Sequence, residues 1–227
     1  VQDIDPPRYE TAADLSGYLR GSSVAVANMM LAVMAPEMTE DDIERARPHA
    51  RSMAEALQLT NFLRDVREDV REYDRIYIPR DVLERNVASA EQIRNLEFTP
   101  EFANAIREEL ERTEVKYRHG VEGIQYLPED CRFAVLLAAT LYADHHRLIR
   151  RQEYDVLSSR PSLTIPRRLL VLARTWWHWR RTGDPRRTFE AVTAFESPAN
   201  RAKTMDGSDA TADGTESPTG GSLSMTA

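Results

Sequence analysis

Apolar side chains recur at helical spacing along most of the chain, and a few polar or proline positions interrupt them. The first such stretch covers residues 11–34 and opens with Thr11 in a capping position. A second stretch covers residues 39–72, with Pro48 as a predicted kink or break. The pattern therefore predicts two long helices near the start of the sequence.

The rest of the chain predicts a loop, two short helices and three long ones. Residues 74–79 read DRIYIP and predict the loop. The further helices are predicted at residues 80–86, 89–96, 99 to about 120 or 126, 128 to about 156, and 166–181. Only nine glycines and twelve prolines punctuate 227 residues, which disfavours a sandwich or barrel of many turns. We therefore expect an all-α protein.

Length and composition divide the chain into a helical domain and a tail. A length of 227 residues suits one domain with an appendage. Residues 1–195 carry the helical pattern, whereas residues 196–227 are rich in Ser, Thr, Gly, Ala and Asp and hold almost no large apolar side chain. Such a segment buries too little surface to offset the cost of ordering, so residues 196–227 are predicted to be a disordered acidic tail.

Charge, apolar runs and cysteine use exclude several classes of protein. A net charge of −7 argues against binding nucleic acid without regard to its sequence. The longest apolar run, residues 133–143, is too short to span a bilayer. The single Cys131 suits a reducing compartment, so a cytoplasmic location is expected. Because the sequence opens with Val1, we expect it to start partway into a gene product.

The most informative stretch is the charged end of the second predicted helix. At about 100° per residue, one face carries polar side chains and the opposite face, from Leu59 to Val70, is apolar. The polar face holds Gln58, Asn61, Asp65, Glu68, Asp69 and Glu72. Like charges at this spacing repel, so something is expected to compensate them.

Two interpretations of this face remain open from spacing alone. In the first it is a solvated face, partly neutralised by Arg64 and its neighbours. In the second, Asn61, Asp65 and Asp69 at spacing i, i+4, i+8 present a column of oxygens suited to a hard divalent cation such as Mg²⁺. Because Mg²⁺ prefers one or two carboxylates plus substrate phosphate, this second interpretation implies a phosphorylated ligand.

The same residues resemble a known family. Residues 58–69 read QLTNFLRDVRED and residues 75–79 read RIYIP. This combination is similar to the second aspartate-rich motif and downstream loop of the squalene and phytoene synthases, the head-to-head prenyl transferases. The similarity favours the metal interpretation.

Weaker matches extend the resemblance over roughly residues 8 to 190. They comprise Tyr18 with Ser22, Ser23 and Val26 on a small-residue helix, LPEDCRFA at residues 127–134, and Tyr142 with YDVLSSR at residues 154–160. The resemblance implies a terpenoid synthase helical bundle with a central cavity, of which residues 1–195 form the carboxyl-terminal two thirds.

The resemblance also implies roles for individual residues. Metal ligation falls to Asn61, Asp65 and Asp69, with Glu68 beside them, and the implied metal is Mg²⁺, with Mn²⁺ as the alternative. By the same resemblance, Arg64, Arg75 and Tyr77 hold the substrate diphosphate or position the allylic chain. Tyr142 lies near the rearranging cation. The pocket wall is formed by Gln58, Tyr18, Ser22 and Val26.

Two features depart from the family pattern. Met53-Ala54 replaces the usual Leu-Gly, and the added methyl group is expected to tighten a helix contact. The first aspartate-rich motif is absent, since Asp3 and Asp5 beside two prolines do not reproduce it. We therefore expect an amino-terminal part to be missing, so that the 227 residues alone can be inactive even if the parent is an enzyme.

The implied activity is condensation of two geranylgeranyl diphosphates to phytoene, through a cyclopropyl diphosphate, in carotenoid biosynthesis. The rival within the family is squalene or dehydrosqualene synthase, which uses farnesyl diphosphate. A rival of another class is a non-catalytic helical scaffold with the same fold. Prenyl diphosphates are the implied partners, and downstream carotenoid enzymes are further candidates.

Two other signals carry weaker expectations. His145 and His146 point about 100° apart on a helix and cannot share a metal ion, so a surface position is expected for both. Trp176, Trp177 and Trp179 with nearby arginines suit either a peripheral membrane contact or a last amphipathic helix that caps the bundle. The capping alternative is the favoured one.

Overall fold

Every regular element in the computed structural model is helical within the residues that it describes, which are 9–193 and 195. This confirms the predicted all-α fold. The α-helices in this range are α1 (Ala12–Gly21), α2 (Ser23–Met34), α3 (Glu40–Arg64), α4 (Val66–Tyr73), α5 (Arg80–Arg85), α6 (Ala90–Arg94), α7 (Pro100–Glu122), α8 (Glu129–Arg151), α9 (Ile165–Thr182) and α10 (Pro185–Val192). The predicted acidic tail lies outside the described residues.

Side-chain caps mark the starts of α1, α3 and α7. The Thr11 hydroxyl accepts a hydrogen bond from the Asp14 amide at 3.3 Å, and the Asp14 carboxylate accepts one from the Thr11 amide at 2.9 Å. The Thr39 hydroxyl caps α3 by accepting a hydrogen bond from the Asp42 amide at 3.1 Å. Thr99 caps α7, and Pro100 occupies its first turn, where no amide donor is needed. These starts agree with the sequence pattern.

Both long helices predicted at the start of the chain are divided in the structure. The first bends by 41° at Ser22, where α1 ends and α2 begins. The second bends at Asp65, and of the kink or break predicted at Pro48 the break is wrong, because Pro48 lies inside α3. A proline costs one main-chain hydrogen bond in a helix interior, and α3 accommodates that loss.

The centre of the fold is a close contact between α3 and α7. A Cβ atom added to Gly120 would lie 2.8 Å from the Met53 nitrogen and 2.8 Å from its Cα atom, so only glycine fits against the α3 backbone there. Gly123 meets the His49 side chain on the same face. Two glycines thus let α7 approach α3 more closely than larger residues would allow.

A buried polar network ties α3 to α7 and α8. The Thr60 hydroxyl lies 2.9 Å from the Tyr117 hydroxyl and 3.0 Å from His146 Nε2. His146 Nδ1 lies 3.3 Å from Glu114, which also pairs with Arg150 at 2.7 Å. The surface position expected for the two histidines is therefore wrong, since both are buried. These polar partners allow His146 to be buried between three helices.

The carboxyl-terminal elements differ from the sequence pattern in two places. Helix α8 ends at Arg151, short of the predicted residue 156, because Glu153 and Tyr154 adopt positive φ angles of 52° and 66°. Helix α10 was not predicted. Asp184 caps it, and its own residue Phe189 is buried.

No single helix in the described part of the chain is both long and apolar enough to cross a membrane. Helices α1 and α2 pass that test of length and composition only when taken together with the short turn after α2, as a bent pair.

Candidate active site

Asp65 lies at the bend between α3 and α4, and the helical hydrogen bonds continue on both sides of it. The Asp65 amide donates to the Asn61 carbonyl at 2.9 Å, and the Asp69 amide donates to the Asp65 carbonyl at 2.8 Å. Asn61, Asp65 and Asp69 therefore occupy successive turns of one bent helix. We call these three residues together with Glu68 the oxygen row.

Apolar side chains around the bend pack into two clusters. Phe62 packs with Tyr9, Leu15, Leu19 and Leu59. Leu63, next to it in the chain, belongs with Val66 and Val70 to a different cluster, which includes residues of α5 and α7. The division between the two clusters therefore falls within α3, before the bend.

The Asp65 carboxylate is held by two arginines. Arg64 donates two hydrogen bonds to it, at 2.7 Å and 2.6 Å, and Arg160 Nε donates a third at 2.7 Å. Burial alone would raise the pKa of Asp65, but these charged hydrogen bonds outweigh it and hold the pKa below its usual value. The hydrogen bonds to Asp65 likewise raise the pKa of Arg64.

Asp69 is in the opposite electrostatic situation. Burial, followed by the negative charges of Asp65 and Glu68, raises the pKa of Asp69 to about 7. Arg75 and Arg160 lower it only in part. The Asp69 carboxylate is therefore a strained anion that a nearby positive charge would stabilise.

Two further oxygens of the row have no hydrogen-bond partner in the described part of the chain. They are Asn61 Oδ1 and Glu68 Oε2, and both atoms are buried. An unsatisfied buried oxygen is costly unless a ligand completes it. Together with Asp69, these are the amide and carboxylate oxygens that Mg²⁺ accepts, so the oxygen row fits a divalent cation.

The arrangement is not a complete metal cage. Among residues 9–193 and 195, no group of three or more His, Cys, Asp or Glu side chains is placed to hold a metal ion by itself. Asp65 is occupied by its arginines, so its participation requires Arg160 or Arg64 to move. A site of this kind offers few protein oxygens and leaves coordination positions for substrate phosphate and water.

The loop after α4 folds back onto the end of α3. Asp74 adopts a left-handed conformation with φ 50°, and the Arg75 amide donates to the Asp69 carbonyl at 3.0 Å. The Arg75 guanidinium donates to the Tyr77 hydroxyl at 3.3 Å, and the Tyr77 ring stacks on Phe62 with centroids 3.7 Å apart. Arg75 and Tyr77 are thereby fixed beside the oxygen row.

Tyr18 joins this aromatic group. Its ring centroid lies 6.1 Å from that of Tyr77 and 6.5 Å from that of Phe62. Tyr9 completes the group, with centroids 5.7 Å from Tyr18 and 6.0 Å from Tyr77. An aromatic wall therefore stands next to Arg75.

An apolar cavity of about 410 Å³ lies between α2, α3, α7 and α8. Its lining includes Val26, Met30, Met53, Gln58, Gly120 and Ala138. Gln58 lies three residues before Asn61, so the cavity approaches the oxygen row along α3. Ala54 lines the cavity, and its neighbour Met53 faces Gly120 of α7.

The structure places the other predicted site residues as follows. Val26 and Gln58 line the cavity, whereas at Ser22 the hydroxyl donates to the Tyr18 carbonyl at 3.2 Å and the neighbouring Ser23 lines the cavity. Tyr142 lies one turn after Ala138, and it is close enough to contribute to the raised pKa of Arg64. Its ring centroid lies 6.1 Å from that of His145.

Arg160 is the site residue that the sequence analysis missed as an individual. It lies at the end of the stretch YDVLSSR, which carries part of the family resemblance, but no local pattern marks its side chain. Its partner Asp65 is 95 residues away in the chain. Only the folded chain brings the two together.

Comparisons with known proteins agree with this fold. A model of the squalene/phytoene synthase family matches residues 1–167. A phytoene synthase of Thermus thermophilus is 33% identical over 177 residues, which cover 78% of this chain and 58% of the relative. The 15-cis-phytoene synthase of Synechocystis is 30% identical, over 77% of this chain and 53% of the relative.

Solved structures point the same way. A dehydrosqualene synthase crystallised with a ligand superposes with a TM-score of 0.68 and 26% identity, over 79% of this chain and 61% of the other. The fold is thus that of the helical head-to-head synthases. The chain belongs to the squalene/phytoene synthase family, and it spans somewhat over half the length of the curated relatives it matches.

Proposed function

We propose that this chain forms part of an enzyme that joins two prenyl diphosphates head to head, and that it makes phytoene from two geranylgeranyl diphosphates. Support for this product comes from the curated relatives, of which the two described above are phytoene synthases. The observation that carries the proposal is the oxygen row, which begins one turn along α3 from Gln58, a residue in the lining of an apolar cavity. A polar end and an apolar cavity match a diphosphate and its prenyl chain.

The proposed cation site uses Asn61, Asp69 and Glu68, with Asp65 joining when an arginine releases it. When bound, Mg²⁺ would neutralise negative charge on the diphosphate oxygens as the carbon–oxygen bond breaks. Mn²⁺ prefers the same hard oxygen ligands and is the proposed substitute.

Arginines would hold the diphosphate itself. Arg64, Arg75 and Arg160 surround Asp65 and Asp69, and each carries a guanidinium that can donate two hydrogen bonds to a phosphate. Arg64 and Arg160 both donate hydrogen bonds to Asp65 in the structure. Diphosphate would compete for the same guanidinium groups, which then orient the leaving group.

The cavity and the aromatic wall would protect the allylic cation. The cavity lining is almost entirely apolar, and few groups in it could deliver water to a carbocation. The faces of Tyr18, Tyr77 and Phe62 carry partial negative charge and suit a cation passing beside them. Tyr142, close to Arg64, would line the route from the diphosphate to the cavity.

A second candidate is synthesis of dehydrosqualene or squalene from farnesyl diphosphate. The structural similarity to a dehydrosqualene synthase favours it. The two candidates differ in substrate chain length and share the chemistry of ionisation, so the oxygen row supports both equally.

The experiment uses the gene product that contains this chain, incubated with Mg²⁺ and either C15 or C20 prenyl diphosphate. The hydrocarbon is identified by mass. Phytoene from the C20 substrate supports the proposal, and a C30 product from the C15 substrate supports the second candidate. No hydrocarbon from either, with the protein folded and Mg²⁺ present, would leave a non-catalytic scaffold as the explanation.

The product suggests the partners. Phytoene has no polar group, so it is nearly insoluble in water. A membrane touched by the enzyme, or a downstream carotenoid enzyme that takes the hydrocarbon directly, is the proposed recipient.

A further inference from the structure

The outer face of α9 carries an apolar stripe. Ile165, Leu169, Leu172 and Trp176 lie within roughly 60° of one another around the helix. Their exposed fractions are 71%, 59%, 38% and 51%. Large apolar side chains are therefore directed away from the other helices that the structure describes.

The side of α9 that meets the bundle is narrow and partly polar. Val171 and Thr175 are buried there, and the Thr175 hydroxyl lies 3.1 Å from that of Thr140 on α8. Arg167 pairs with the buried Asp144 at 2.6 Å. Helix α9 thus contacts the bundle through this side and not through its apolar stripe. As the last amphipathic helix expected from the sequence, it leaves that stripe exposed to water. Contiguous exposed apolar surface marks an interaction site.

Positive charge flanks the stripe. Helix α9 contains no Asp or Glu, although the whole chain carries a net charge of −7. Arg168 and Arg180 lie roughly 80° and 40° to either side of Trp176. The Arg180 guanidinium is 5.7 Å from the Trp176 ring centroid, and that of Arg181 is 5.4 Å from the Trp177 centroid.

We propose that α9 is a docking surface for a bilayer that contains anionic lipids. Leucine and tryptophan side chains would enter the boundary between headgroups and acyl chains, where such residues are favoured. Arg168 and Arg180 would contact lipid phosphates. The proposal stands on α9 alone and does not depend on the catalytic function.

Charge disfavours a second copy of the chain as the occupant. A two-fold contact through α9 would bring the exposed arginines of one copy against those of the other. No carboxylate of α9 is present to neutralise them. Anionic phosphate groups complement the same arginines.

The chain offers an internal reporter, because its three tryptophans are Trp176, Trp177 and Trp179, all in α9. The full chain is mixed with vesicles of phosphatidylcholine, with or without phosphatidylglycerol, at low and high salt. We expect a blue shift of tryptophan emission, quenching by brominated acyl chains, and co-sedimentation with anionic vesicles. Salt should weaken the binding.

Matched variants distinguish binding through this surface from non-specific hydrophobic adsorption to vesicles. Leu169→Ser with Leu172→Ser should weaken vesicle binding about tenfold, because two apolar side chains no longer insert. Met29→Ser with Val33→Ser removes two exposed apolar side chains from α2 and should bind as the unchanged protein does. Arg168→Gln with Arg180→Gln should remove the preference for anionic vesicles.

Three results would overturn the proposal. One is the absence of both blue shift and sedimentation with anionic vesicles at low salt. Another is unchanged vesicle binding by Leu169→Ser with Leu172→Ser while its circular dichroism remains helical. The third is a lipid-free dimer, seen by light scattering, that this same double variant dissociates, since α9 would then be a contact between protein copies.

Discussion

The pKa values of two carboxylates on the same helical run, Glu55 and Asp69, are shifted in opposite directions. Glu55, in the middle of α3, is only 3% exposed, and it accepts hydrogen bonds from Arg51 at 2.9 Å and from Lys116 at 2.5 Å. Burial opposes its ionisation, but these partners outweigh burial and lower the pKa of Glu55. For Asp69, beyond the bend, burial and then the charges of Asp65 and Glu68 raise the pKa to about 7.

The difference lies in what surrounds each group. Cationic side chains from α3 and α7 enclose Glu55, whereas Asp69 faces the charges of Asp65 and Glu68. A carboxylate that joins helices is given its partners by the fold. A carboxylate without cationic partners would be stabilised by a ligand that brings positive charge. This property distinguishes the oxygen row from the other buried acids.

The largest effect expected from replacing a carboxylate of the oxygen row is a loss of turnover. Asp69→Asn in the gene product that contains this chain should lower turnover by about a thousandfold, since a cation ligand next to the leaving group is lost. Asp65→Asn should abolish turnover in the same way while helicity remains. Product mass and circular dichroism are measured together.

Glu55→Gln is the matched control for that loss. It removes a buried carboxylate of the same helix that touches none of the proposed ligands, so turnover should persist at temperatures where the variant is folded. Equal losses of turnover in Glu55→Gln and Asp69→Asn would contradict a special role for the oxygen row.

The second effect concerns stability and has opposite signs at the two positions. Glu55→Gln should lower the free energy of unfolding by about 1–2 kcal/mol, because charged hydrogen bonds to Arg51 and Lys116 are weakened. Asp69→Asn should raise it at neutral pH, because a strained anion is removed. Urea unfolding of the metal-free chain measures both, and a loss of stability in Asp69→Asn would show that the carboxylate is a structural partner.

The order of the helices and the composition of the oxygen row follow from local sequence. Thr11, Thr39 and Thr99 mark helix starts by capping chemistry that acts over three residues. The i, i+4, i+8 spacing places Asn61, Asp65 and Asp69 along one side of a helix even though the helix bends. Such features depend on neighbours within one or two turns.

Features set by distant contacts could not be predicted in the same way. The bend at Asp65 has no signal in the helical pattern around it, and the role of Arg160 depends on a contact across 95 residues. His146 is buried because Thr60 and Glu114 meet it from other helices. The direction of the stripe on α9 likewise depends on how Thr175 packs against α8. Helical periodicity shows that a face exists, and only the packing shows where it points.

A pH series sharpens the comparison further. The pKa of Asp69 is raised in the folded chain, so the stability it contributes is present at acidic pH and declines as the pH rises from about 4 to about 7. Solvent screening at this partly exposed position limits the decline to about 1 kcal/mol. The pKa of Glu55 is lowered, so its contribution is present above pH 4.5 and is lost as the solution becomes more acidic.

The measurement is the free energy of unfolding in EDTA across this range for the chain and both variants. Asp69→Asn should gain stability relative to the unchanged chain as the pH rises towards 7. Glu55→Gln should show its deficit at neutral pH and lose it in acid. Parallel curves for all three proteins would mean that neither carboxylate titrates differently in the folded and unfolded states.

The smallest expected effect tests whether cation and diphosphate share one site. Mg²⁺ alone should raise the melting temperature little, because Asp65 is occupied by Arg64 and Arg160. Inorganic diphosphate can draw those arginines away from Asp65, and the freed carboxylate then joins Asp69 as a cation ligand. The two added together should therefore exceed the sum of their separate shifts by about 2–4 °C. Asp69→Asn should abolish this excess while Glu55→Gln preserves it, and strictly additive shifts in the unchanged chain would place the cation and the diphosphate at separate sites.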